Sequence, residues 1–416
     1  MPQSNITFID EINPRGKKIL LRCDFDVSLN PNFTIADDAR IRNNLPTITY
    51  LLKNKNKLIC VAKLDRPKGR DAKLSLKVVV NRLHQYIPGY KVKLVDDFLH
   101  PPVILGNRAK RDDSRIDSGQ ARMTIFQAQS DKEILVLENI RFYPEEKKND
   151  TVFSKKLAAL ADVYVNDAFA MSHRNEASIV GVPRFLPSYG GLLLKKEIEM
   201  ISKAIQDPKK PIVAIIGGAK IETKIKFIKK LTEIADYVLI GGGLANTFLC
   251  AQGLGIGKSY CQLEFVNMAK ELLKIASQGN TSIIIPSDVV IGDPENSENG
   301  GKVVKNNQIP KGAVALDIGP ETQAKFGSII AMAKTIIWNG PIGYIENPSF
   351  KRGTDFIYYA VSANQNATSI VGGGDTLAAI SKKEYLDRIT HISTGGGAML
   401  EFIEKGTLPG IEALKK

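Results

Sequence analysis

The sequence predicts an α/β protein of two domains, each built on a parallel sheet. Short β-branched runs alternate with longer amphipathic stretches along the chain, which is the pattern of βαβ units. At 416 residues the chain exceeds what one hydrophobic core serves. Apolar runs in the second half end in glycine. Pro211–Ile216 leads into Gly217-Gly218-Ala219-Lys220, and Tyr237–Ile240 into Gly241–Gly243. Ser369–Val371 leads into Gly372–Asp375, and His391–Thr394 into Gly395–Gly397. Such turns suggest the C-terminal edge of a parallel sheet, where bare backbone N–H groups can approach phosphates.

The elements follow in order. First-half strands are expected at Lys18–Arg22, Leu58–Ala62, Val92–Val95, Ile134–Leu137 and Asp162–Val165, with helical patterns over 73–86 and 153–161. The second half repeats the scheme, with strands at 212–216, 237–240, 282–285, 335–338, 369–371 and 390–393. Its helical patterns cover 223–233, 264–277, 321–333, 355–365 and 376–386. Within 264–277, Phe265, Met268, Leu272 and Ile275 fall at helical spacing and are expected in the core. Pro183, Pro187, Gly190 and Gly191 break the pattern, and Leu192–Ile205 then reads as a helix that can act as a hinge. The first domain is therefore placed at 1–190 and the second from 191. Asn107–Lys132 is polar and weakly periodic, a surface loop or an insertion.

Composition narrows the function. Hydrophobic residues make up 43% and charged residues 24%, as in soluble globular proteins. The 57 lysines and arginines exceed the 44 acidic residues, giving +13 and favouring anionic partners. They are scattered, so phosphorylated metabolites are expected and nucleic acid is not. Four cysteines without a CxxC pair fit reduced thiols in the cytoplasm. Residues 1–22 contain no apolar run of the secretory kind. Tyr237–Gly257 is uncharged, but its glycine, asparagine and glutamine residues make it a strand, a turn and a helix start rather than a membrane span.

A single glycine turn after a strand is commonly just a tight turn. Four of them, with Trp338-Asn339-Gly340-Pro341, point to nucleotide binding. Lys220 and Lys224 lie four apart and would share one face of a helix start, toward an anion. Asp375 could hold the Mg²⁺ of a nucleotide or cap a helix. Gln252–Ser259 misses the first glycine of a Walker A loop, and no GxGxxG fingerprint with an acidic partner occurs, which disfavours a nicotinamide dehydrogenase. The first half offers Asp24-Phe25-Asp26 at a strand end, then Arg40, Lys63, Arg66, Arg141, His173 and Arg174. Converging guanidinium groups suit a small phosphorylated hydroxy acid. The four histidines have no metal-binding spacing, and no Ser/His/Asp or Cys/His set is suggested. Such an inventory fits phosphoryl transfer, which relies on positioning and charge neutralisation.

Seven motifs occur in order: Leu137-Glu-Asn-Ile-Arg-Phe142, Val165-Asn-Asp-Ala-Phe169 with His173-Arg174, Gly217-Gly-Ala-Lys220, Leu316-Asp-Ile-Gly-Pro320, Trp338-Asn-Gly-Pro-Ile-Gly343, Gly372-Gly-Gly-Asp375 and Ser393-Thr-Gly-Gly-Gly-Ala398. Together they resemble the phosphoglycerate kinase family. The resemblance implies two Rossmann-like domains with parallel sheets joined by a hinge helix. A C-terminal tail, 400–416, would return to the first domain and leave 191–399 as the nucleotide domain. It implies a monomeric cytoplasmic enzyme that closes about its hinge. That enzyme would transfer phosphoryl reversibly between Mg-ATP with 3-phosphoglycerate and Mg-ADP with 1,3-bisphosphoglycerate. Carried over by position, Asp24, Phe25, Asp26, Arg40, Lys63, Arg66, Arg141 and Arg174 would hold the phosphoglycerate. Lys220, Lys224, Glu346, Gly373, Gly374, Asp375 and Thr376 would hold the nucleotide, with Glu346 near its ribose and Asp375 on magnesium. Arg40, Lys220, Gly373 and the Gly395–Gly397 amides, Gly396 among them, would neutralise the phosphoryl group in transfer.

The chain departs from the family pattern in the acceptor half. Asp26 stands where Asn is usual, and Lys63 where His is usual. Asp65 takes the place of a glycine, and Glu176 that of a second histidine. The added negative charges imply weaker phosphoglycerate binding. The alternative to an active kinase is a non-catalytic nucleotide-binding relative with an interaction role.

Overall fold

The computed structural model describes residues 6–100, 129–295, 301–380 and 383–415. Most of the Asn107–Lys132 segment lies outside them. The chain divides into two compact units, 1–198 with 407–416, and 199–406. The first division thus falls within the Leu192–Gln206 helix.

The first unit carries β1 (Lys18–Cys23), α1 (Ala39–Lys53), β2 (Lys57–Val61), α2 (Lys77–Tyr86), β3 (Lys91–Val95), β4 (Glu133–Leu137), α3 (Thr151–Ala158), β5 (Val163–Asp167), β6 (Ser188–Gly190) and the start of α4 (Leu192–Gln206). The strands pair in parallel in the order β3-β4-β2-β1-β5-β6. All of β4 and β5 is buried, as expected of strands covered on both faces. Ile19, Leu21, Leu58, Cys60, Ile134, Val136 and Val165 form the centre of the core. Register sets Arg22 level with Val61 and Asn166, so the segments after β1, β2 and β5 leave the sheet at one edge. The C-terminal residues close on this unit, with Gly410 N–H donating to Ser172 O at 2.8 Å.

The second unit holds β7 (Ile212–Ile216), α5 (Ile225–Ile234), β8 (Tyr237–Ile240), α6 (Gly243–Ala251), α7 (Val266–Gln278) and β9 (Ser282–Ile284). After them come β10 (Asp288–Gly292), β11 (Lys302–Lys305), β12 (Val314–Ile318), α8 (Pro320–Met332), β13 (Thr335–Asn339) and α9 (Arg352–Ala363). The last elements are β14 (Thr368–Gly372), α10 (Gly374–Ala378), β15 (His391–Ser393) and α11 (Gly396–Lys405). A six-stranded parallel sheet runs β9-β8-β7-β13-β14-β15. Beside it, β10 pairs antiparallel with β11 and β12, a small sheet that the periodicity did not predict.

Two helix expectations change. In α7 the buried residues are Ala269, Leu272 and Ala276, while Met268 is exposed. The buried stripe is turned by about one residue from the predicted one, with Leu272 common to both and alanines beside it in place of Met268 and Ile275. The pattern over 376–386 is not one helix but α10 followed by a 3₁₀ segment, Lys383–Arg388. Leu377, Ile380, Tyr385 and Leu386 all pack on the core, and a single helix would spread them over more than half its circumference.

Candidate active site

In the first unit, carboxylates and cations meet at the C-terminal edge of the sheet. Asp24 and Asp26 follow β1. Asn44 of α1 clamps Asp24, its side-chain oxygen accepting Asp24 N–H and its amide donating to Asp24 O, both at 3.2 Å. Arg40, also on α1, donates to Asp24 Oδ2 at 2.5 Å, and the Asp24 charge raises the arginine's pKa. Glu197 of α4 adds to that pull. Lys63, just past β2, is buried and ion-paired with Asp26. Burial pulls Lys63 below the usual lysine range against the attraction of Asp26, and nearby Arg141 lowers it further. Arg141 Nη2 in turn meets Glu176 Oε1 at 2.5 Å, both side chains being buried.

The Glu138-Asn139 pair explains how Arg141 is placed. Asn139 accepts from the N–H groups of Leu64 and Arg141 and donates to Leu64 O and Leu74 O. Glu138 accepts from Leu76 N–H and Ser75 Oγ. One motif thus fastens the loop that carries Lys63 to the turn that carries Arg141. Asp167 does the same for the helix that follows, accepting Leu193 N–H at 2.9 Å at the start of α4; burial pushes its carboxyl up to about 7.

The predicted acceptor residues therefore separate into groups. Asp24, Asp26, Arg40, Lys63 and Arg141 form one electrostatic cluster. Arg66 and Arg174 are exposed, and their guanidinium groups have no partner among the described residues. Phe25 is fully buried in the core, so it presents only backbone. The charges that depart from the family pattern are not isolated. Asp26 is paired with Lys63 and Glu176 with Arg141. Asp65 sits at φ +55°, the left-handed region that glycine adopts freely, and its N–H donates to Asp26.

In the second unit the glycine turns stand side by side. Register aligns Ile216 with Ile240 and Asn339, Asn339 with Gly372, and Gly372 with Ser393. The turns after β8, β7, β13, β14 and β15 thus leave five adjacent strands at one level. Backbone bonds join them: Gly217 N–H to Asn339 O at 2.9 Å, Gly218 N–H to Pro341 O at 2.7 Å, Gly242 N–H to Ile342 O at 2.7 Å. Packing is so close that a Cβ on Gly340 would lie 2.3 Å from Gly217 O, and one on Gly396 would lie 2.9 Å from Gly373 Cα. Side chains are excluded here because main chain meets main chain.

Lys224 belongs to this floor. Its half-buried ammonium donates to Gly217 O and lies 2.6 Å from where a Cβ on Gly218 or Gly340 would fall. Burial lowers its pKa to about 8, opposed by Asp375. Lys220 is exposed. The two lysines do not share a helix face as the spacing suggested, because α5 starts only at Ile225. Gln262 Oε1 accepts from Ile221 and Glu222 N–H groups at 2.7 and 3.2 Å and holds the intervening residues as a turn. Asp375 is exposed in the first turn of α10, whose N-cap is Gly373 at φ +113°. Asp375 therefore does not cap the helix. Thr376 is buried, accepting Gly340 N–H at 2.7 Å and donating to Gly372 O. Glu346 is exposed beyond the Trp338–Gly343 turn.

Beneath the floor, Trp338 Nε1 donates to Gly340 O at 2.8 Å and its ring packs on Tyr358, 4.3 Å between centroids. A cleft opens beside the turns, between Gly242, Ala245 and Leu249 of the α6 side and Leu316, Asp317 and Ile342 opposite. Burial pushes Asp317 up to about 7, although it accepts N–H bonds from Gly353 and Ile318. Glu197 and Gln262 carry no motif signal for these supporting roles. Glu176 stood out as a departure from the family pattern and Trp338 as the first residue of its motif, but neither reading showed what the side chain touches.

The phosphoglycerate kinase sequence profile matches residues 9–406. The chain belongs to the phosphoglycerate kinase family. It is 43% identical to the phosphoglycerate kinase of Koribacter versatilis over 98% of both chains. It is 41% identical to "phosphoglycerate kinase 3, cytosolic" of Arabidopsis thaliana, covering 98% of this chain and 97% of that one. The phosphoglycerate kinase structure from Coxiella burnetii superposes with a TM-score of 0.81 at 35% identity over 98% of both chains. The Pyrococcus horikoshii phosphoglycerate kinase gives 0.81 at 29% identity, with 99% of this chain and 98% of that one covered. The expected fold class and the phosphotransferase reaction with a carboxyl acceptor both stand. Among the described residues no helix is long and apolar enough to cross a membrane.

Proposed function

We propose that this phosphoglycerate kinase chain holds its acceptor on the cationic cluster of the first unit and its nucleotide on the glycine floor of the second. The observation that carries the assignment is the alignment of five glycine turns at the ends of five adjacent parallel strands, with the half-buried Lys224 ammonium among them. Such an edge offers N–H groups and positive charge to a polyphosphate and no side chain to obstruct it.

On this reading Lys220, Lys224 and the amides of Gly373 and Gly374 bind the nucleotide phosphates. Glu346 faces the ribose hydroxyls. The Thr376 hydroxyl is already engaged with Gly340 and Gly372, so this residue shapes the turn and offers backbone to the nucleotide. Asp375 fits magnesium. Its exposed carboxylate has no side-chain hydrogen bond among the described residues, and Mg²⁺ commonly takes one or two carboxylates with phosphate oxygens and water. The bound ion supplies charge neutralisation on the phosphates.

On the acceptor side Arg66 and Arg174 grip the phosphate of 3-phosphoglycerate. Asp24 and Asp26 orient Arg40 and Lys63, which with Arg141 face the glycerate. The carboxylate oxygen attacks the terminal phosphorus as the bond to the ADP oxygen breaks. The acceptor is ionised at neutral pH, so no proton moves and no general base is required. Arg40, Lys220 and the Gly396 amide supply the positive field for the migrating group. The partners are these small anions, with neither nucleic acid nor membrane, and the enzyme works as a cytoplasmic monomer. The cytosolic Arabidopsis and tobacco relatives support that location.

Calorimetry with each ligand alone tests the division of labour. Arg174→Ala should lose 3-phosphoglycerate binding and keep Mg-ADP binding. Asp375→Ala should do the reverse. A variant that weakens both ligands equally, or the opposite one, contradicts the assignment.

A further inference from the structure

A strap lies beside the cleft of the second unit, bonded to Asn246 and Ala315 of its lining. Residues 252–262 leave the end of α6 and return alongside it. Asn246 Nδ2 donates to Tyr260 O at 3.1 Å, and Gln262 N–H donates to Thr247 Oγ1 at 3.3 Å. The same segment is pinned to the opposite wall: Lys258 N–H donates to Ala313 O, and Ala315 N–H to Ser259 Oγ, each at 2.8 Å. Gly257, at φ +62°, is so close to that wall that a Cβ would lie 2.4 Å from the carbonyl oxygens of Ala313 and Pro310. Gln262 continues to the turn before α5 through Ile221 and Glu222. One short segment therefore ties together α6, β12 and the turn that presents Lys220 and Lys224.

Cys250 and Cys261 lie at the two ends of this strap. The bonds from Asn246 and Thr247 draw residues 260–262 against α6, and Cys250 lies one helical turn beyond those two residues, so the two cysteines are neighbours. Both are partly exposed and neither is in a disulfide. The neighbours Tyr260 and Leu263 are exposed too, so the site is open to solvent. Cys23 and Cys60, in contrast, are buried in the first unit's core.

We propose that Cys250 and Cys261 are a reversible dithiol–disulfide site whose oxidation weakens nucleotide binding. The co-reactant is a low-molecular-weight disulfide. Cys261, which follows the exposed Tyr260 on the strap, supplies the first attacking sulfur. Its thiolate, having given its proton to solvent, attacks one sulfur of the small disulfide, forming a mixed disulfide and expelling one thiolate, which takes up a proton. Cys250 then gives up its proton, attacks the Cys261 sulfur and expels the second small thiol. Two protein thiols are oxidised and one disulfide is reduced to two thiols. The new bond, about 2.05 Å long, is shorter than any hydrogen-bonded contact between the two sulfurs. It draws Cys261 toward α6 and pulls Gln262 off the amides of Ile221 and Glu222. The turn bearing Lys220 and Lys224 then loosens.

The test uses the full chain in oxidised and reduced glutathione. The expected product has lost about two mass units, carries no glutathione, and yields on digestion one linked peptide pair containing Cys250 and Cys261. Its affinity for ADP should fall several-fold and return with dithiothreitol, and Cys250→Ser and Cys261→Ser should show no such change. A stable glutathione adduct on either cysteine, or a full set of free thiols after exposure, overturns the site. A bridged chain that binds ADP as the reduced chain does overturns its coupling to the cleft. That coupling rests on the nucleotide assignment above. The peptide linkage does not, so failure of one leaves the other readable.

Discussion

The backbone N–H of Asp65 donates to Asp26 Oδ1 at 2.7 Å while Asp65 itself sits at φ +55°. A residue with a β-carbon thus occupies a left-handed position in order to hold the carboxylate that pairs with Lys63. Asp65→Gly keeps the N–H donor and relieves the backbone, a gain of about 1 kcal/mol at most. Chemical denaturation should show a small stabilisation of the first unit. Asp65→Asn tolerates the same φ and removes the charge, so tighter 3-phosphoglycerate binding by both variants assigns the effect to charge. Tighter binding by the glycine variant alone assigns it to the backbone.

Arg141 and Glu176 form a pair in which both side chains are buried. Glu176→Ala leaves a buried guanidinium without its counter-charge, a loss of about 3–5 kcal/mol. The double change Arg141→Met with Glu176→Met should recover most of that stability, because the lone charge is gone. A double-mutant cycle by urea unfolding gives the coupling. Additive losses would show that the pair contributes little.

Lys224 makes nucleotide binding pH-dependent. Burial lowers its folded pKa to about 8 from an ordinary 10.5. Below about 8 the ammonium is charged in both states and the burial penalty is complete. Between the two values the unfolded chain holds more protons, so this residue's contribution to stability rises with pH. A bound phosphate favours the charged form. ADP affinity should therefore fall as pH rises through about 8, with proton uptake on binding. Titration calorimetry in buffers of different ionisation heat measures both, and a pH-independent affinity with no proton uptake would count against Lys224 as a phosphate contact.

The only tryptophan supports the glycine floor from below. Trp338→Phe leaves the buried Gly340 carbonyl without its donor and opens a void, at a cost of about 2–4 kcal/mol. Urea unfolding followed by circular dichroism should show that loss. Wild-type tryptophan emission should report unfolding of the second unit, with a midpoint that ADP raises.

The parallel sheets were legible because buried strands such as Ile212–Ile216 are uninterrupted apolar runs, and glycine marks where each ends. The order of those turns across the sheet was not, because adjacency of β7 with β13 depends on pairing between residues far apart in sequence. Lys220 and Lys224 were visible as a pair, but their backbone was not. A single side chain, Gln262, some forty residues on, decides that they lie on a turn rather than a helix. Local spacing also could not show that Asp26 and Glu176 already have cationic partners, since charge at a position says nothing about what faces it. Small residues misled the reading of α7, where alanine rather than methionine is buried.

Formation of the acyl phosphate from 3-phosphoglycerate and Mg-ATP by the purified chain, trapped with hydroxylamine, tests the assignment most directly. Turnover is expected from the wild type and should fall by at least about a hundredfold in Arg40→Ala and in Lys220→Ala, since each removes charge from the migrating group. A wild-type chain that binds both ligands and transfers nothing, or variants that turn over as fast as the wild type, would contradict it.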